Sequence, residues 1–535
     1  MRLLAHPAAL LAMAAFAAAP APLTAQVSCE SLASLDLSDT RIEVAESVPA
    51  GSPAPPADNL PVPICRVVAV VEPAIRFEVW MPSTAWNGKF NGVGNGGYAG
   101  FINYGAMRGA LARGYATAST DTGHVGSPFD ASWMLGHPEL IVDHLYRSIH
   151  EMTLKSKSIL RAFSGDKPRY SYFSGCSAGG NQGLIEAQRY PRDYDGIVSG
   201  APAPNVVSLH AWFTWSAQST LKDPARYLPA SKLQLIADTV NARCDGLDGI
   251  TDGVLDDPRR CDFDPGALLC AATDAPSCLT ADQVQTVKQL YAGPRNPRSG
   301  EQIFRGVVPG GEAGAGGWAP WITGPAPGAS FHAFLAGGLF RYAGFEDPSW
   351  DWKTFDFDAD FTFVSDKLGP IWDTSDQSLH RFEVHGGKIV MYHGWSDPAI
   401  PALNSVDYYT RVVRAGPGRD RERDDGGDGR QQKLDFFRLF LAPGMQHCGG
   451  GPGPNTFDAL GALEKWVEQG IAPKKIIAAG GIVPSRTRPL CPYPETARYT
   501  GHGSIDDEAN FVCRGPHAGE DDEDGHDHGD DRDEE

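Results

Sequence analysis

A serine flanked by glycines is the feature of this sequence that most directly suggests chemistry. Gly175-Cys176-Ser177-Ala178-Gly179 fits the pattern G-x-S-x-G, follows a strand-like run at 170–174 and precedes a helix-like run at 181–189. At such a junction the tight turn leaves no room for side chains beside the serine, whose hydroxyl is exposed. We therefore expect Ser177 to be a nucleophile and the N–H of Ala178 to stabilise the oxyanion formed on attack. The alternative is an ordinary glycine-rich turn.

A serine nucleophile needs a base, and the base needs an acid that orients it. In folds with this kind of serine turn, the acid follows the serine along the chain and the histidine comes last. Asp397 lies where a strand-like run enters a turn, and His447 lies in a loop after a later strand-like run. We expect Ser177, Asp397 and His447 to form a catalytic triad.

Other interpretations of these residues remain open. His393 is an alternative base, but it precedes the acid in chain order, so we interpret it as a residue of the substrate pocket or a support behind the triad. His447 could otherwise be a solvated loop histidine, and Asp397 a cap of the turn before Pro398.

A second oxyanion donor is expected from a glycine-rich loop early in the chain. The run Gly94-Asn95-Gly96-Gly97-Tyr98 follows a strand-like segment. Glycine lets the main chain approach a substrate oxygen closely. We favour the N–H of Gly97, with Gly96 as its neighbour; the alternative is a plain turn.

Ten cysteines follow residue 25, and no C-x-x-C motif is present. An even number of cysteines in an oxidising compartment suggests disulfides, although sequence alone does not fix the pairing. Local spacing makes Cys244–Cys261, Cys270–Cys278 and Cys491–Cys513 plausible. Cys176 precedes the predicted nucleophile and Cys448 follows the predicted base, so a working triad would bring these two cysteines together.

The order of elements indicates how these residues are positioned. Strand-like and helix-like runs alternate from about residue 66 to 200 and again after 388, which predicts an α/β protein with a parallel sheet. Residues 203–380 lose this rhythm and are rich in tryptophan, proline and glycine. We predict a catalytic core at 26–202 and 381–516 with an inserted lid domain at 203–380.

Composition limits the remaining possibilities. The chain has 535 residues, 42% of them hydrophobic, and a formal net charge of −20. Such an acidic chain has no electrostatic reason to bind nucleic acid or anionic membranes. Residues 1–25 have the pattern of a signal peptide, which predicts a secreted or periplasmic protein. Half of the net charge lies in a low-complexity acidic tail, 517–535, predicted to be disordered.

Residues 244–256 are dense in aspartate and glycine. The spacing does not fit an EF-hand, but oxygen ligands on a flexible turn suit calcium. Clustered carboxylates repel one another unless a cation neutralises them. A solvated acidic turn is the alternative.

The combination of Gly-Cys-Ser-x-Gly-Gly, Gly-Trp-Ser-Asp-Pro and His-Cys-Gly-Gly-Gly resembles the tannase/feruloyl esterase family over residues 27 to 515. The resemblance implies an α/β-hydrolase core with an inserted lid, and hydrolysis of aromatic carboxylic esters. It implies a disulfide between Cys176 and Cys448, the three local pairs named above, and Cys29–Cys65.

The resemblance also implies a structural calcium ion. Its ligands would be the side chains of Asp245, Asp248 and Asp252 and the main-chain carbonyls of Ile250 and Val254. The substrate would be a small feruloyl, galloyl or terephthaloyl ester, and the oligomeric state stays open. A protein of another class, a non-catalytic calcium-stabilised extracellular binding protein on a hydrolase fold, is the alternative function.

Overall fold

The computed structural model describes residues 27–54, 58–373, 379–415 and 435–515. The predicted signal peptide, 1–25, and the predicted acidic tail, 517–535, lie outside these ranges. The strands are β1 (Thr40–Val48), β2 (Pro53–Ala54), β3 (Asp58–Asn59), β4 (Ile64–Val71), β5 (Ile75–Pro82), β6 (Lys89–Val93), β7 (Ala116–Thr120), β8 (Tyr170–Cys176), β9 (Gly196–Gly200), β10 (Lys388–Gly394), β11 (Phe437–Ala442), β12 (Ile476–Ala479), β13 (Thr487–Leu490), β14 (Thr496–Tyr499) and β15 (Phe511–Arg514). The helices are α1 (Tyr104–Ala112), α2 (Pro138–Val142), α3 (Ser148–Ser164), α4 (Ala178–Arg189), α5 (Val206–Leu221), α6 (Ala230–Cys244), α7 (Ala281–Ala292), α8 (Phe331–Leu335), α9 (Ala359–Trp372), α10 (His380–Val384), α11 (Leu403–Ala415) and α12 (Ala459–Gln469).

The main sheet of the described residues has nine strands in the order β1-β4-β5-β7-β6-β8-β9-β10-β11. Neighbours are parallel from β7 to β11 and antiparallel from β1 to β7. The expectation of a parallel sheet is therefore wrong for the half of the sheet that contains β1, β4 and β5, and it holds for the strands from β7 to β11. Only residues 72–74 join β4 to β5, and a connection this short can link only antiparallel neighbours.

The parallel strands are covered by helices on both faces because their side chains alternate between apolar contacts above and below. In β8, Phe173 packs in the cluster that contains residues of α3, α4 and α11. Its neighbour Tyr172 packs on the other face with residues of α12. Serine and histidine turns at the carboxyl ends of such strands meet at one edge of the sheet, which is where this protein places its site.

The described residues between β9 and β10 contribute no strand to the main sheet. They contain α5 to α10, and most of their buried apolar side chains pack in a second core, which also includes Leu145 and Ile400 from outside the segment and in which Trp212 and Trp318 are fully buried. This packing is consistent with an inserted segment. The boundaries of the predicted lid domain, at residues 203 and 380, remain predictions.

The structure has the five disulfides named above, so those pairings are confirmed. They are Cys29–Cys65, Cys176–Cys448, Cys244–Cys261, Cys270–Cys278 and Cys491–Cys513. No helix among the described residues combines the length and the apolar character that crossing a bilayer requires.

Candidate active site

Ser177 occupies the turn between β8 and α4, with φ 62° and ψ −127°. A non-glycine residue in this left-handed region is strained, and such strain concentrates at functional sites. The turn is also crowded: a Cβ on Gly175 would lie 2.4 Å from main-chain atoms of Gly179, and a Cβ on Gly180 would lie 2.2 Å from the carbonyl oxygen of Gly200. The glycines of the motif are therefore required by packing against the serine turn.

Asp397 follows β10 and is 2% exposed. Its Oδ1 accepts hydrogen bonds from the N–H groups of Ala399, at 2.8 Å, and Ile400, at 2.9 Å. Its Oδ2 lies 2.8 Å from Nδ1 of His447 and 3.1 Å from Nε2 of His393. Burial raises the pKa of Asp397, but the charge of His447 and the hydrogen bonds of both histidines outweigh burial and hold this pKa below its usual range.

His447 lies in the loop after β11, with its side chain 9% exposed. Because Nδ1–H donates to Asp397, the neutral ring presents Nε2 as the basic atom. The ring also packs edge-to-face on Trp321, with ring centroids 4.9 Å apart. Ser177 and His447 line the same cavity, so the structure brings together the three residues predicted as a triad.

The Cys176–Cys448 disulfide joins the residues next to Ser177 and His447, and it closes a loop of 272 residues. Cys448 itself has a positive φ of 61°, which places its backbone in the left-handed region. The serine turn and the histidine loop are thus covalently linked beside the reacting atoms, which favours preorganisation of the site.

The N–H groups at the predicted oxyanion position are available. Ala178 is the first residue of α4, so its N–H has no partner within the helix. Gly96 and Gly97 line the same cavity, and their N–H groups donate to no described residue. Gly97 has φ 55°, and a Cβ there would lie 2.2 Å from the carbonyl oxygen of Pro128, so only glycine fits.

His393 does not line the cavity, and its assignment to the substrate pocket is wrong. The side chain is completely buried behind Asp397 because β10 directs it into the protein interior. Nε2 faces two acceptors, Asp397 and the carbonyl oxygen of Ile400, so it carries the hydrogen. Nδ1 then accepts from the hydroxyl of Ser405, at 2.8 Å. The position of His393 instead fits the second possibility given above, a support behind the triad that contacts Asp397.

The cavity has a volume of about 420 Å³ and a mostly apolar wall. Core loops contribute Tyr98 and Phe129, and the inserted segment contributes Phe213, Trp321 and Trp372. The sequence does not separate Trp321, which lines the cavity, from Trp318, which is buried in the core of the insert.

Two histidines in the cavity wall were missed by sequence reasoning. His210 donates from Nδ1 to the carbonyl oxygen of Val206, at 2.8 Å, which is typical of the neutral tautomer with a free Nε2. Burial lowers the pKa of His210 to about 4. His144 contacts Thr122, and burial, followed by the charges of His124 and His210, lowers its pKa to about 3. A histidine in helix α5, which has no charged residue, is the signal that could have identified His210.

The predicted calcium loop has ligand atoms of the right type. The residues Ile250 and Val254 are buried, and their carbonyl oxygens accept no hydrogen bond from a described residue. Asp248 has a raised pKa because it is buried and lies near Asp245 and Asp252. These features suit a cation.

Other contacts in the loop are less favourable to calcium. Oδ2 of Asp252 lies 2.6 Å from Arg488 and 3.2 Å from Arg486. Both oxygens of Asp245 accept main-chain N–H groups. Among the described residues, no three carboxylates of the loop offer oxygens within 4.8 Å of one another. The oxygen atoms of the loop are therefore of the type that calcium binds, but the carboxylate of Asp252 is already paired with two arginines.

A mostly parallel sheet with a strained serine turn, followed along the chain by an acid and a histidine, defines the α/β-hydrolase class. The family model for tannase and feruloyl esterase matches residues 61–514. An uncharacterized esterase of Xanthomonas campestris pv. campestris is 40% identical, over 94% of this chain and 93% of its own length. The mono(2-hydroxyethyl) terephthalate hydrolase of Piscinibacter sakaiensis is 36% identical, over 83% of this chain and 82% of its own.

Solved structures agree with these relatives. Feruloyl esterase B from Aspergillus oryzae superimposes with a TM-score of 0.81 and 29% identity, covering 91% of this chain and all of that one. The chain therefore belongs to the tannase and feruloyl esterase family, and it is a carboxylic ester hydrolase.

Proposed function

We propose that this protein is an exported serine esterase that hydrolyses esters of aromatic carboxylic acids through a covalent acyl-enzyme. The observation that carries the proposal is His447, which is hydrogen-bonded to the buried Asp397 and shares a cavity wall with Ser177. The relatives named for feruloyl and terephthalate esters support an aromatic acyl group. Five disulfides support export, because disulfides persist in oxidising compartments.

The reaction begins with attack of Ser177 Oγ on the ester carbonyl, while Nε2 of His447 takes the hydroxyl proton. Asp397 stays ionised and stabilises the imidazolium, which its lowered pKa supports. The N–H groups of Gly97 and Ala178 donate to the oxyanion, and the cavity wall keeps water from weakening these bonds.

Breakdown of the first tetrahedral intermediate releases the alcohol, which receives its proton from His447. Water then enters, His447 takes one of its protons, and the hydroxide attacks the acyl-enzyme. Collapse of the second intermediate breaks the bond to Ser177 Oγ, which regains its proton from His447, and the aromatic acid leaves.

The cavity wall supports a neutral, hydroxylated ring as the acyl group. A carboxylate on the ring would lose its hydration against the apolar wall, which is costly. His210 is held among the rings of Tyr98, Phe213 and Trp372, and its free Nε2 can accept a hydrogen bond from a phenolic hydroxyl. We therefore propose phenolic acid esters such as ferulates as better substrates than terephthalate monoesters.

The chemical step is tested by Ser177→Ala with methyl ferulate and p-nitrophenyl esters. We expect kcat to fall by at least about a thousandfold, and labelling by a fluorophosphonate to disappear. Retained turnover in the variant would contradict the assignment of Ser177. A wild-type protein that resists the fluorophosphonate would instead support the non-catalytic binding protein.

The acyl specificity is tested by comparing methyl ferulate with methyl 3-methoxycinnamate, which lacks only the phenolic hydroxyl. We expect the wild type to prefer ferulate by about tenfold in kcat/KM, the value of one hydrogen bond. His210→Phe keeps the ring volume and should remove this preference. Phe213→Leu, in the same wall, is the control that should retain it. Equal rates for both esters in the wild type would exclude His210 as the acceptor.

The Asp-rich loop is proposed to hold a structural calcium ion through Asp245, Asp248 and Asp252 and the carbonyls of Ile250 and Val254. An ion binding only the folded state raises stability by about 2.7 kcal/mol at a concentration of 100 Kd. Adding calcium to metal-free protein should therefore raise the melting temperature of the wild type. Asp248→Asn should abolish the increase, and Asp262→Asn, a fully exposed residue just beyond the loop, should keep it. An unchanged wild-type melting temperature would contradict the site.

A further inference from the structure

Three side chains that could bind a metal meet away from the cavity. His150 lies on α3, Glu186 lies about two turns into α4, and Asp193 lies on the link from α4 to β9. Each offers a ligand atom, and these atoms lie within 4.8 Å of one another. None of the three residues lines the catalytic cavity.

The histidine of this cluster is already oriented. Nδ1 of His150 lies 2.6 Å from Oδ2 of Asp193. The ring stacks on Tyr190 with centroids 3.7 Å apart and the planes 9° from parallel. The side chain is 22% exposed, whereas that of Asp193 is 8% exposed. The cluster is therefore open to solvent on the histidine side and closed on the carboxylate side.

Glu186 is the unusual member. It is 1% exposed, and neither of its carboxylate oxygens has a hydrogen-bond donor among the described residues. An ionised carboxylate without donors is costly in the protein interior. Two buried carboxyl groups in contact need either a shared proton or a cation.

The nearest ammonium group does not supply that cation directly. Lys157 donates from Nζ to the main-chain carbonyl oxygen of Asp193, not to a carboxylate oxygen. Tyr194, the other polar neighbour on the link, directs its hydroxyl to Thr153.

We propose that His150, Glu186 and Asp193 form a binding site for a divalent transition metal, with zinc as the first candidate. One imidazole nitrogen and two carboxylates, with water completing the set, are typical ligands of zinc, whereas calcium prefers oxygen ligands alone. The ion would replace the proton on Nδ1 of His150 as the partner of Asp193. It would link α3, α4 and the segment before β9, and so brace the helix whose first turn carries the oxyanion donor Ala178.

The test uses the full chain with its disulfides intact, depleted of metal and then titrated with zinc alone. Zinc bound per chain is counted after dialysis, and the melting temperature is measured with and without zinc. The variants are Glu186→Gln, which removes one carboxylate while keeping its volume, and His150→Gln. The predicted calcium loop and the tail histidines are common to all samples, so their binding cancels in the comparison.

A matched control comes from an exposed pair of the same chemistry. His137 and Glu139 lie 3.0 Å apart with both side chains more than half exposed, so His137→Gln removes a histidine–carboxylate pair outside the cluster. We expect the wild type and His137→Gln to bind one more zinc ion than the two cluster variants, and to show a zinc-dependent rise in melting temperature that those variants lack.

The same zinc content in the wild type and both cluster variants would overturn the proposal and leave Glu186 sharing a proton with Asp193. Substituting Co²⁺ gives a second measurement, since a nitrogen- and oxygen-ligated site produces visible absorption that should be absent from His150→Gln. This variant changes a partly exposed side chain, so it remains informative if Glu186→Gln does not fold.

Discussion

Two clusters in this protein contain the same pair of groups, a histidine Nδ1 beside a buried aspartate. His447 lies 2.8 Å from Asp397, and His150 lies 2.6 Å from Asp193. Both carboxylates are almost inaccessible to solvent. The pair by itself therefore does not determine what a cluster does.

The surroundings differ in the supply of hydrogen-bond donors. Around Asp397, two main-chain N–H groups and two histidines donate to the carboxylate, so a negative charge is stabilised without an added ion. Asp193 instead faces Glu186, whose oxygens have no donor among the described residues. The first cluster is built to hold an anion, whereas the second leaves the buried Glu186 without a hydrogen-bond donor in the described part of the chain.

The comparison also explains why we propose a catalytic role for only one of the two pairs. His447 shares a cavity with Ser177 and with free N–H groups, so a proton taken by His447 has a reacting partner. His150 packs on Tyr190 and does not line that cavity. A histidine–aspartate pair becomes catalytic through its neighbours, while the same pair beside a second acid becomes a candidate metal site.

The largest expected effect comes from Asp397→Asn. The amide keeps the volume but removes the charge and the acceptor that select the tautomer of His447, so kcat with methyl ferulate should fall about ten-thousandfold. In the second cluster, Asp193→Asn is the matched change, and there we expect loss of the zinc-dependent increase in melting temperature. An Asp397→Asn variant within tenfold of the wild-type kcat would break the distinction between the clusters.

The next effect concerns the Cys176–Cys448 disulfide, which joins the serine turn to the histidine loop in the first cluster. Replacing Cys176 and Cys448 with serine opens a loop of 272 residues, for which the chain-entropy model gives a cost on the order of 5 kcal/mol in unfolding free energy. We also expect kcat to fall, because the serine turn and the histidine loop lose their link.

Replacing Cys491 and Cys513 with serine is the control for this change. That disulfide closes only 22 residues and lies away from the cavity, so the expected cost is about 3 kcal/mol with kcat retained. Denaturant unfolding and kcat are measured for both double variants. An equal kcat in the two would show that Cys176–Cys448 stabilises the fold without preorganising the site.

The two clusters also differ in how well the sequence predicts them. Ser177, Asp397 and His447 lie in motifs whose local pattern and chain order specify a role, and the adjacent cysteines indicate that the motifs meet. The residues His150 and Glu186 have no motif, since they come from the interiors of two helices that only tertiary packing brings together. Sequence reasoning misses β7 for a related reason: its residues, Ala116–Thr120, are small or polar, and only their position inside the sheet buries them.

A third group of histidines sharpens the comparison, because His144 and His210 have no carboxylate partner among the described residues. Their lowered pKa values, about 3 and about 4, mean that the unfolded chain binds more protons than the folded one below about pH 6.5. Stability should therefore fall as the pH decreases from about 6.5 to about 4, by up to ~1.4 kcal/mol per pH unit for each histidine. The stabilisation from Asp397 has the same sign, because its pKa is also lowered in the fold, but it is lost only below the ordinary aspartate pKa of 3.8.

Denaturant unfolding of the wild type and His210→Phe at several pH values between 4 and 7 separates these contributions. The variant lacks one of the groups that the unfolded chain protonates, so its stability should depend less on pH. Identical pH dependence in the two proteins would show that His210 binds its proton equally well in the folded and the unfolded chain, contrary to its lowered pKa.

The smallest effect concerns a single hydrogen-bond donor to Asp397, the ring of His393. His393→Phe keeps a buried ring but removes the hydrogen bond to Oδ2, and one hydrogen bond to a charged group corresponds to about a tenfold loss of kcat, with KM little changed. His393→Gln can still donate to Asp397 and should recover most of the loss, which a purely structural defect would not allow. If His393→Phe keeps the wild-type kcat, the N–H groups of Ala399 and Ile400 and the ring of His447 suffice to orient the acid, and the contrast with Asp193 then rests on those three donors alone.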